Sequence, residues 1–360
     1  MSDQIAILRD AAIGETREAM LRGERVVALR IARASDAGRV AHWGEVFAAR
    51  IAKIDRRRRG AFVDLGLPGQ QGFLPLGADG RAACGRARVA LSEGMNVTAS
   101  IVREAARAKS PVVELLDAAP ESGPPGLIAR PECDEDLALA KPGDRETRAR
   151  IDHAIDDALS LHAPIPGGGA LTIEPCAALV AIDVDAGGRQ GQSDAEKFAL
   201  DLNIAAAREA ALQIRLRGLG GVMAIDFVSM RQKSNRDRLD QAIRTAFADD
   251  PWSVQFGGFS RFGVYEMARA QFRTPLHEIL RAPDGRLSAE TIALSALRAI
   301  EREARAVTGR HIVCSVAPEI KAWLDAAPFD WRAGLSNRIG LRWSMEAVSG
   351  PRDRIDVKAQ

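Results

Sequence analysis

The sequence predicts a multidomain α/β protein that carries a small β-barrel in its N-terminal half. Five short strand patterns punctuated by glycine follow one another over residues 39–117, which is typical of a small Greek-key barrel. Over residues 179–228, two apolar strand patterns flank a long helical stretch, which indicates a β–α–β crossover. Residues 285–360 alternate helix and strand patterns and predict a small α/β domain.

The first 38 residues are too few to form a hydrophobic core by themselves. Their pattern predicts an apolar stretch over residues 5–8, a helix around residues 15–21 and a strand over residues 25–31. We therefore expect this segment to pack against a later part of the chain.

The predicted barrel carries a nucleic-acid hypothesis. A run of four arginines at positions 56–59 lies between two of its strands, and barrels of the OB type bind single strands through a basic groove with aromatic residues on which bases stack. Two alternatives remain open, namely that the aromatic residues belong to the barrel core and that the arginine run is a solvated turn. The candidate contacts are Phe62 and Phe73 for stacking, and Lys53, Arg59 and Lys109 for phosphate.

The middle of the chain contains a connector and a helix. Residues 118–134 are rich in proline and glycine and predict a connector, and residues 144–161 carry an apolar stripe at helical spacing. The triple glycine at positions 167–169 is not a phosphate-binding loop, because no Gly-Lys-Ser/Thr sequence follows it.

Two aspartates carry the main chemical hypothesis. Asp183 and Asp226 each follow an Ala-Ile pair in an apolar strand, with the second strand predicted over residues 221–228. A capping box at Ser193 and Glu196 starts the intervening helix, which should end near Arg217. Such a crossover makes the two strands parallel, and open α/β sheets place their sites at the carboxyl ends of strands. The sequence therefore predicts that the two carboxylates share a divalent cation.

Asp185 is a third candidate at this site. It lies two residues after Asp183 and so points to the same side of the strand, where it would be a further ligand or would orient a metal-bound water. Mg²⁺ is commonly held by one or two carboxylates together with water and phosphate oxygens. An alternative remains open, in which the aspartates cap loops or pair with Arg189 or Arg231.

A basic segment over residues 260–273 follows the second aspartate strand. It interleaves cationic and aromatic side chains, which suits contact with a polyanion near the end of the sheet. The candidate residues are Arg261, Arg269 and Arg273, together with Phe262, Tyr265 and Phe272.

Composition narrows the class of protein. The chain has 360 residues, a formal net charge of +2 and four scattered cysteines without a C-x-x-C pair. This spacing supports neither a zinc site nor a disulfide framework, and it favours a cytoplasmic location. No apolar run approaches the roughly 18 residues of a membrane span, and the N-terminus lacks the pattern of a signal peptide.

Three sequence stretches together resemble the catalytic core of the bacterial ribonuclease E/G family. They are G-G-A-L-T-I-E-P-C-A-A-L-V-A-I-D-V-D-A-G, Q-I-R-L-R-G-L-G-G-V-M-A-I-D-F-V-S-M and F-S-R-F-G-V-Y-E-M-A-R. The segment from G-E-V-F-A-A-R-I-A-K-I to G-Q-Q-G-F-L-P-L is similar to the S1 domain of that family, and the part from S-A-L-R-A-I-E-R-E-A onward is similar to its small C-terminal domain.

The resemblance implies a domain arrangement that covers nearly the whole chain. Residues 1–38 and 135–165 would form a ribonuclease-H-like subdomain, with the S1 barrel of residues 39–117 inserted between them. Residues 118–134 would be a remnant of the 5′-sensor region. A DNase-I-like catalytic subdomain over residues 166–284 and a small C-terminal α/β domain over residues 285–360 would follow.

The resemblance also implies an activity. It implies a Mg²⁺-dependent endoribonuclease, with Mn²⁺ as an alternative metal, that cuts single-stranded RNA in rRNA or mRNA processing or decay and leaves 5′-phosphate ends. Asp183 and Asp226 match the metal-binding aspartates of the family. Phe62, Phe73 and Lys109 match its S1 contacts to RNA. A second hypothesis from a different class is an S1-type RNA-binding or regulatory protein with weak or no catalysis.

Several positions depart from the family pattern. Asp185 stands where an asparagine is usual, and the two-cysteine zinc link expected near residues 281–287 is replaced by R-A-P-D-G-R-L. We therefore expect no structural zinc, and any homodimer would form without that link. Arg130 stands in a matching position, but Pro131 and Ser253 replace a hydroxyl residue and a phosphate-binding arginine. These departures and the short connector predict weak 5′-end sensing, and no degradosome scaffold tail is expected.

Overall fold

The computed structural model of the protein describes residues 5–105, 109–118, 123–131, 141–188 and 195–360. The chain divides into two compact units, which are described separately. The first comprises Met1–Ile7, Ala19–Leu29 and Arg150–His277, and the second comprises Leu8–Glu18, Arg30–Ala149 and Glu278–Gln360. The predicted mixed α/β class is confirmed.

Three strands begin the described chain and form one sheet in the order β1-β2-β3, and the residues of this sheet are divided between the two units. Their bounds are Ile5–Ala12 (β1), Glu15–Arg22 (β2) and Arg25–Arg33 (β3). The helix predicted around residues 15–21 is wrong, because this segment is β2. The buried positions of β2 include the charged Glu15 and Arg17, so the sequence does not show the apolar alternation that marks a strand.

The predicted five-stranded barrel is present in the second unit. Its sheet closes in the order β4-β5-β6-β10-β9 and back to β4, and its interior is filled by aliphatic side chains and Phe47. A short hairpin, β7 and β8, adds to β10. Part of the segment predicted as a connector forms a strand, β11, that pairs with β4. The bounds are Val46–Asp55 (β4), Gly60–Leu67 (β5), Gln70–Pro75 (β6), Ala82–Cys84 (β7), Ala87–Val89 (β8), Asn96–Arg103 (β9), Val112–Asp117 (β10) and Gly126–Ala129 (β11).

The first unit is built on a six-stranded sheet in the order β12-β13-β14-β15-β17-β16. The strands β14 and β15 are parallel, as the predicted crossover requires, and the helices α2 and α3 cover one face of the sheet. The bounds are Arg145–Leu159 (α1), His162–Pro164 (β12), Ala170–Pro175 (β13), Val180–Asp185 (β14), Ala195–Leu216 (α2), Gly221–Asp226 (β15), Lys233–Ala246 (α3), Val254–Phe259 (β16), Tyr265–Arg269 (β17) and Leu276–Leu280 (α4). The first residues of α1 and the last residues of α4 belong to the second unit. The capping residue predicted at Ser193 lies outside the described residues.

The C-terminal part of the second unit is a three-stranded sheet in the order β19-β18-β20, with its own apolar core. Its bounds are Ala289–Ala306 (α5), Ile312–Val316 (β18), Pro318–Asp325 (α6), Trp331–Ile339 (α7), Trp343–Ala347 (β19) and Ile355–Ala359 (β20). The helix α7 was not predicted; the side chain of Asp330 caps it by accepting a hydrogen bond from the main chain of Ala333. None of the helices in the described ranges is long and apolar enough to cross a membrane.

A buried network of charges in the second unit connects β1, α1 and α5. The guanidinium of Arg148 lies 2.9 Å from Asp10 Oδ1 and 2.9 Å from Glu301 Oε2, and Arg17 Nη2 lies 2.8 Å from Asp10 Oδ2. Burial alone would raise the pKa of the Asp10 carboxyl, but the hydrogen bond from Arg17 and the charge of Arg148 bring it below its usual value. Because both carboxylates are fully buried, the network depends on its arginines.

We expect Arg148→Met to lower the free energy of unfolding by about 3–5 kcal/mol, because it leaves two buried carboxylates without this partner. Urea denaturation measures the change. The matched control is Arg145→Met, at an exposed position of the same helix, which should change the free energy by no more than about 0.5 kcal/mol. Similar effects of the two substitutions would show that the network does not hold these elements together.

Candidate metal centre and nucleic-acid contacts

Asp183 and Asp226 lie side by side at the carboxyl ends of two parallel strands. They are register partners in the β14–β15 pair, and neighbouring strands are about 4.8 Å apart. The strand predicted over residues 221–228 ends instead at Asp226. The apolar residues that follow have left the strand: Phe227 is buried in the core, and the main chain of Val228 is bonded to a side chain of α2.

The two aspartates lie on the open face of the sheet. Along β14, Ile182 and Val184 are buried in the core, whereas Asp183 and Asp185 are exposed. Asp226 is exposed at the end of β15. The alternation of the strand therefore places Asp183 and Asp185 on the same side, as predicted, and gives a ligand free access to both Asp183 and Asp226.

The contacts of these carboxylates test the alternative interpretation, in which the aspartates cap loops or pair with an arginine. Within the described ranges, no cationic side chain forms an ion pair with Asp183 or Asp226, and pairing with Arg231 is not found. Asp185 does cap a turn, because its Oδ1 accepts a hydrogen bond of 2.9 Å from the main chain of Gly187. Arg189 lies outside the described residues.

The donor set fits Mg²⁺. Two adjacent, exposed carboxylates supply the hard oxygen ligands that Mg²⁺ and Mn²⁺ prefer. No group of three or more histidines, cysteines or acidic residues within the described ranges is arranged to hold a metal ion. The remaining positions around a metal held by Asp183 and Asp226 would therefore belong to water and phosphate oxygens, and the role of Asp185 stays a prediction.

Two side chains of α2 fix the loop after Asp226, and the sequence analysis assigned neither of them this role. The buried Asn203 donates to the carbonyl oxygen of Val228 at 2.8 Å and accepts from its amide at 3.0 Å. Glu196 accepts from the main chains of Gln232 and Arg231, and these hydrogen bonds lower the pKa of the Glu196 carboxyl. The sequence signal for this role is an asparagine among the apolar positions of the predicted helix.

The triple glycine forms the turn before β13 and approaches Asp185 closely. Gly169 has φ +87°, and a Cβ atom there would lie 2.5 Å from the carbonyl oxygen of Asp185. A residue with a side chain would therefore meet both backbone strain and a collision with β14.

Arg261 and Phe262 lie in the turn between β16 and β17. Because Tyr265 pairs with Ile225, this turn lies at the carboxyl end of β15, next to Asp226. Both residues are exposed, Phe262 to 80%, and the Arg261 guanidinium lies 4.8 Å from the centre of the Phe262 ring. The turn therefore presents a cation and an aromatic face near the aspartates.

Two residues of the basic segment are buried and therefore not available to a polyanion, contrary to the prediction. Arg269 is only 3% exposed; it is bonded to Asp250 at 2.9 Å and lies over the ring of Trp252 at 4.1 Å. Tyr265 is fully buried, and its hydroxyl donates to Asp240 at 2.8 Å. Both residues belong to β17, where alternation turns every second side chain into the core.

In the barrel, Phe62 and Phe73 are cross-strand partners on β5 and β6 with ring centroids 5.7 Å apart. Both are half-exposed and lie outside the buried core cluster. Lys53 is the cross-strand partner of Phe62 on β4. The open surface of the barrel therefore offers two aromatic side chains next to a lysine.

The other basic candidates of the barrel are also exposed to solvent. They are Arg59 and Lys109, and Arg58 lies 5.9 Å from the centre of the Phe62 ring. The side chain of Arg130 is held by Glu45, with 3.3 Å between Nε and Oε1, and Glu45 itself is buried. Arg130 therefore has a protein carboxylate as its partner.

Comparison with known proteins finds relatives that are named Ribonuclease E and Ribonuclease G. Residues 129–272 match the model of the Ribonuclease E/G family. Ribonuclease E of Haemophilus influenzae is 30% identical over 215 residues, which are 58% of this chain and 23% of that protein. Ribonuclease G of the same organism is 29% identical over 181 residues, which are 48% of this chain and 37% of that protein.

A plant protein gives a third match. The chloroplastic Ribonuclease E/G-like protein of Arabidopsis thaliana is 37% identical over 135 residues, which are 37% of this chain and 14% of that protein. The chain thus spans well under half the length of each of these three relatives. The region that matches the family model includes both aspartates and Arg261 and begins at Ala129, the last residue of β11.

We expect Mg²⁺ to stabilise the protein through the aspartate pair. At a Mg²⁺ concentration about 100 times Kd, the free energy of unfolding of the wild type should rise by about 2.7 kcal/mol. Asp226→Asn should lose this response and should be about 0.2–1 kcal/mol more stable without metal, because two like charges no longer face each other. Thermal unfolding with and without Mg²⁺ measures both effects. The exposed Asp201→Asn is the control, and an equal Mg²⁺ response in all three proteins would contradict the site.

Proposed function

We propose that this chain, whose residues 129–272 match the model of the ribonuclease E/G family, is a Mg²⁺-dependent endoribonuclease. It cuts single-stranded RNA during rRNA or mRNA processing or decay and leaves 5′-phosphate ends. The observation that carries the proposal is the in-register pairing of Asp183 and Asp226 on the open face of the sheet.

In this proposal, Asp183 and Asp226 hold the metal, and Mn²⁺ replaces Mg²⁺ when it is present. A bound Mg²⁺ supplies Lewis-acid activation of water and compensates charge on the phosphate. Asp185 keeps one oxygen on the Gly187 amide and orients a water with the other. The extra negative charge of Asp185, where the family usually has an amide, tightens cation binding at this end of the sheet.

RNA contacts come from two surfaces. Near the aspartates, Arg261 contacts phosphate, and the exposed ring of Phe262 offers a stacking face. On the barrel, bases stack on Phe62 and Phe73. The cations of the barrel, Lys53, Arg59 and Lys109, contact the backbone. The support is their shared exposure and the 5.7 Å between the two barrel rings.

The domain assignment is part of the same proposal. Residues 1–38 with 135–165 are proposed as a ribonuclease-H-like subdomain, residues 39–117 as the S1 barrel and residues 118–134 as the 5′-sensor remnant. Residues 166–284 are proposed as the DNase-I-like catalytic subdomain and residues 285–360 as the small C-terminal domain. The closed five-stranded barrel supports the second of these.

We further propose weak 5′-end sensing, because Arg130 is held by Glu45 and Ser253 replaces the arginine of the family pattern. A homodimer, if it forms, does so without a two-cysteine zinc link, and the protein works in the cytoplasm. The described cysteines Cys84 and Cys314 are free thiols, which agrees with a reducing compartment.

The second candidate is an RNA-binding or regulatory protein of S1 type with weak or no catalysis. The half-exposed Phe62–Phe73 pair favours RNA binding in either case. The two candidates differ at the aspartates, since only the enzyme needs them for its activity.

Cleavage of an A/U-rich single-stranded RNA in Mg²⁺ tests the enzyme directly. We expect Asp183→Asn and Asp226→Asn to lower kcat/KM by about 10²–10³-fold, because each removes a ligand of a metal that contributes several kcal/mol. Asp201→Asn, at an exposed position of α2, should leave the rate unchanged. If the wild type cuts no faster than the two site variants, the enzyme is wrong, and binding of the same RNA then supports the second candidate.

The barrel contacts are tested by RNA affinity. Phe62→Ala and Phe73→Ala should each weaken binding of a single-stranded RNA by about 1–3 kcal/mol if they stack bases. Fluorescence anisotropy measures Kd. The control is Ile128→Ala, which removes an exposed apolar side chain from β11 in the same barrel sheet. Equal affinities for the control and the two phenylalanine variants would show that bases do not stack on these two rings of the barrel.

A further inference from the structure

A row of four polar side chains crosses the open face of the six-stranded sheet. Direct register partners connect His162 on β12 to Thr172 on β13, Thr172 to Asp183 on β14, and Asp183 to Asp226 on β15. All four side chains are exposed or half-exposed. The row therefore continues from the proposed metal site across two further strands.

The histidine at the end of this row is held in place from two sides. Its Nδ1 lies 3.2 Å from Thr172 Oγ1. Its main chain is bonded twice to Ser160: the amide donates to Ser160 Oγ at 3.2 Å, and the carbonyl accepts from the same hydroxyl at 3.0 Å. With Thr172 donating to Nδ1, the imidazole carries its proton on Nε2 and offers this donor to solvent.

The spacing of the strands sets the distances along the row. With strands about 4.8 Å apart, Thr172 is one strand spacing and His162 two strand spacings from Asp183. The turn with Arg261 and Phe262 lies on the opposite side of Asp226, because β17 pairs with β15 on that side. The aspartate pair is thus flanked by hydrogen-bond donors on both sides.

We propose that His162 and Thr172 form a subsite for the RNA phosphate adjacent to the one that is cut, on the side of the aspartates away from Arg261. The subsite rests on the proposed function. The imidazole N–H donates to that phosphate, and Thr172 keeps the ring oriented. His162 and Thr172 are therefore positioning residues, which bind the RNA on one side of the cleaved bond and take no part in the chemical step.

Kinetics separate this role from a structural one. His162→Ala should raise KM for a short single-stranded RNA about ten- to hundredfold, which corresponds to one hydrogen bond to a charged group, and should change kcat by less than about twofold. Thr172→Val, which keeps the β-branched shape, should raise KM by less than His162→Ala does, and Thr172→Ser should restore the wild-type KM. His153→Ala is the matched control, since His153 is an exposed histidine in the same unit.

Modified RNA identifies the contact. After the cut is mapped, a single uncharged methylphosphonate replaces each phosphate next to it in turn. The difference in KM between the wild type and His162→Ala should disappear for one flanking position and persist for the other, because a double-mutant cycle reports the coupling of the two groups. A difference that persists at both positions would overturn the subsite, as would equal KM values for His162→Ala and His153→Ala.

A measurement of RNA binding distinguishes failure of the subsite from failure of the proposed function. If the wild type does not cut RNA, the proposed function fails, and the Kd of the same RNA still tests the subsite: His162→Ala should weaken binding about ten- to hundredfold relative to His153→Ala. If the wild type cuts RNA but both variants bind and cut alike, the enzyme stands and the subsite is wrong.

Discussion

The juxtaposition of two carboxylates on neighbouring parallel strands is the constraint on which the first unit depends. Asp183 and Asp226 are register partners on an open face, and no cation pairs with either within the described ranges. Like charges placed directly opposite each other destabilise a sheet, so this arrangement opposes the stability of the fold that contains it. A divalent cation bound between them would remove the repulsion, and in the proposed function it gives the same two residues a chemical role.

The surrounding structure is arranged to keep the two strand ends together. The core beneath the sheet consists of alternate residues of the strands and the apolar sides of α2 and α3. Asn203 bonds both main-chain groups of Val228, just beyond Asp226, and Gly169 allows the turn before β13 to lie against Asp185. On the far side, the exposed turn with Arg261 is anchored by the buried Tyr265. The rigid elements lie below the sheet, and the groups available to a ligand lie above it.

The sequence predicted the crossover and the aspartate pair because both depend on local patterns, namely apolar runs, glycine stops and chain direction. It failed where charged residues occupy buried positions. Glu15 and Arg17 hid the strand β2, because their charges are paired with other elements of the fold: Asp10 on β1 for Arg17 and Arg298 on α5 for Glu15. Arg269 was placed on the surface by its charge, whereas Asp250 and Trp252 hold it in the interior. The contact of His162 with Thr172 depends on strand register, which composition does not reveal.

The central claim is that one metal ion lies between Asp183 and Asp226, and crystals grown with Mn²⁺ test it most directly through anomalous scattering. The account predicts an anomalous peak between the two side chains, with one carboxylate oxygen of each at about 2.0–2.4 Å from it and the remaining ligands supplied by water. An empty gap, or an arginine side chain bound between the two carboxylates in the presence of Mn²⁺, would contradict the account.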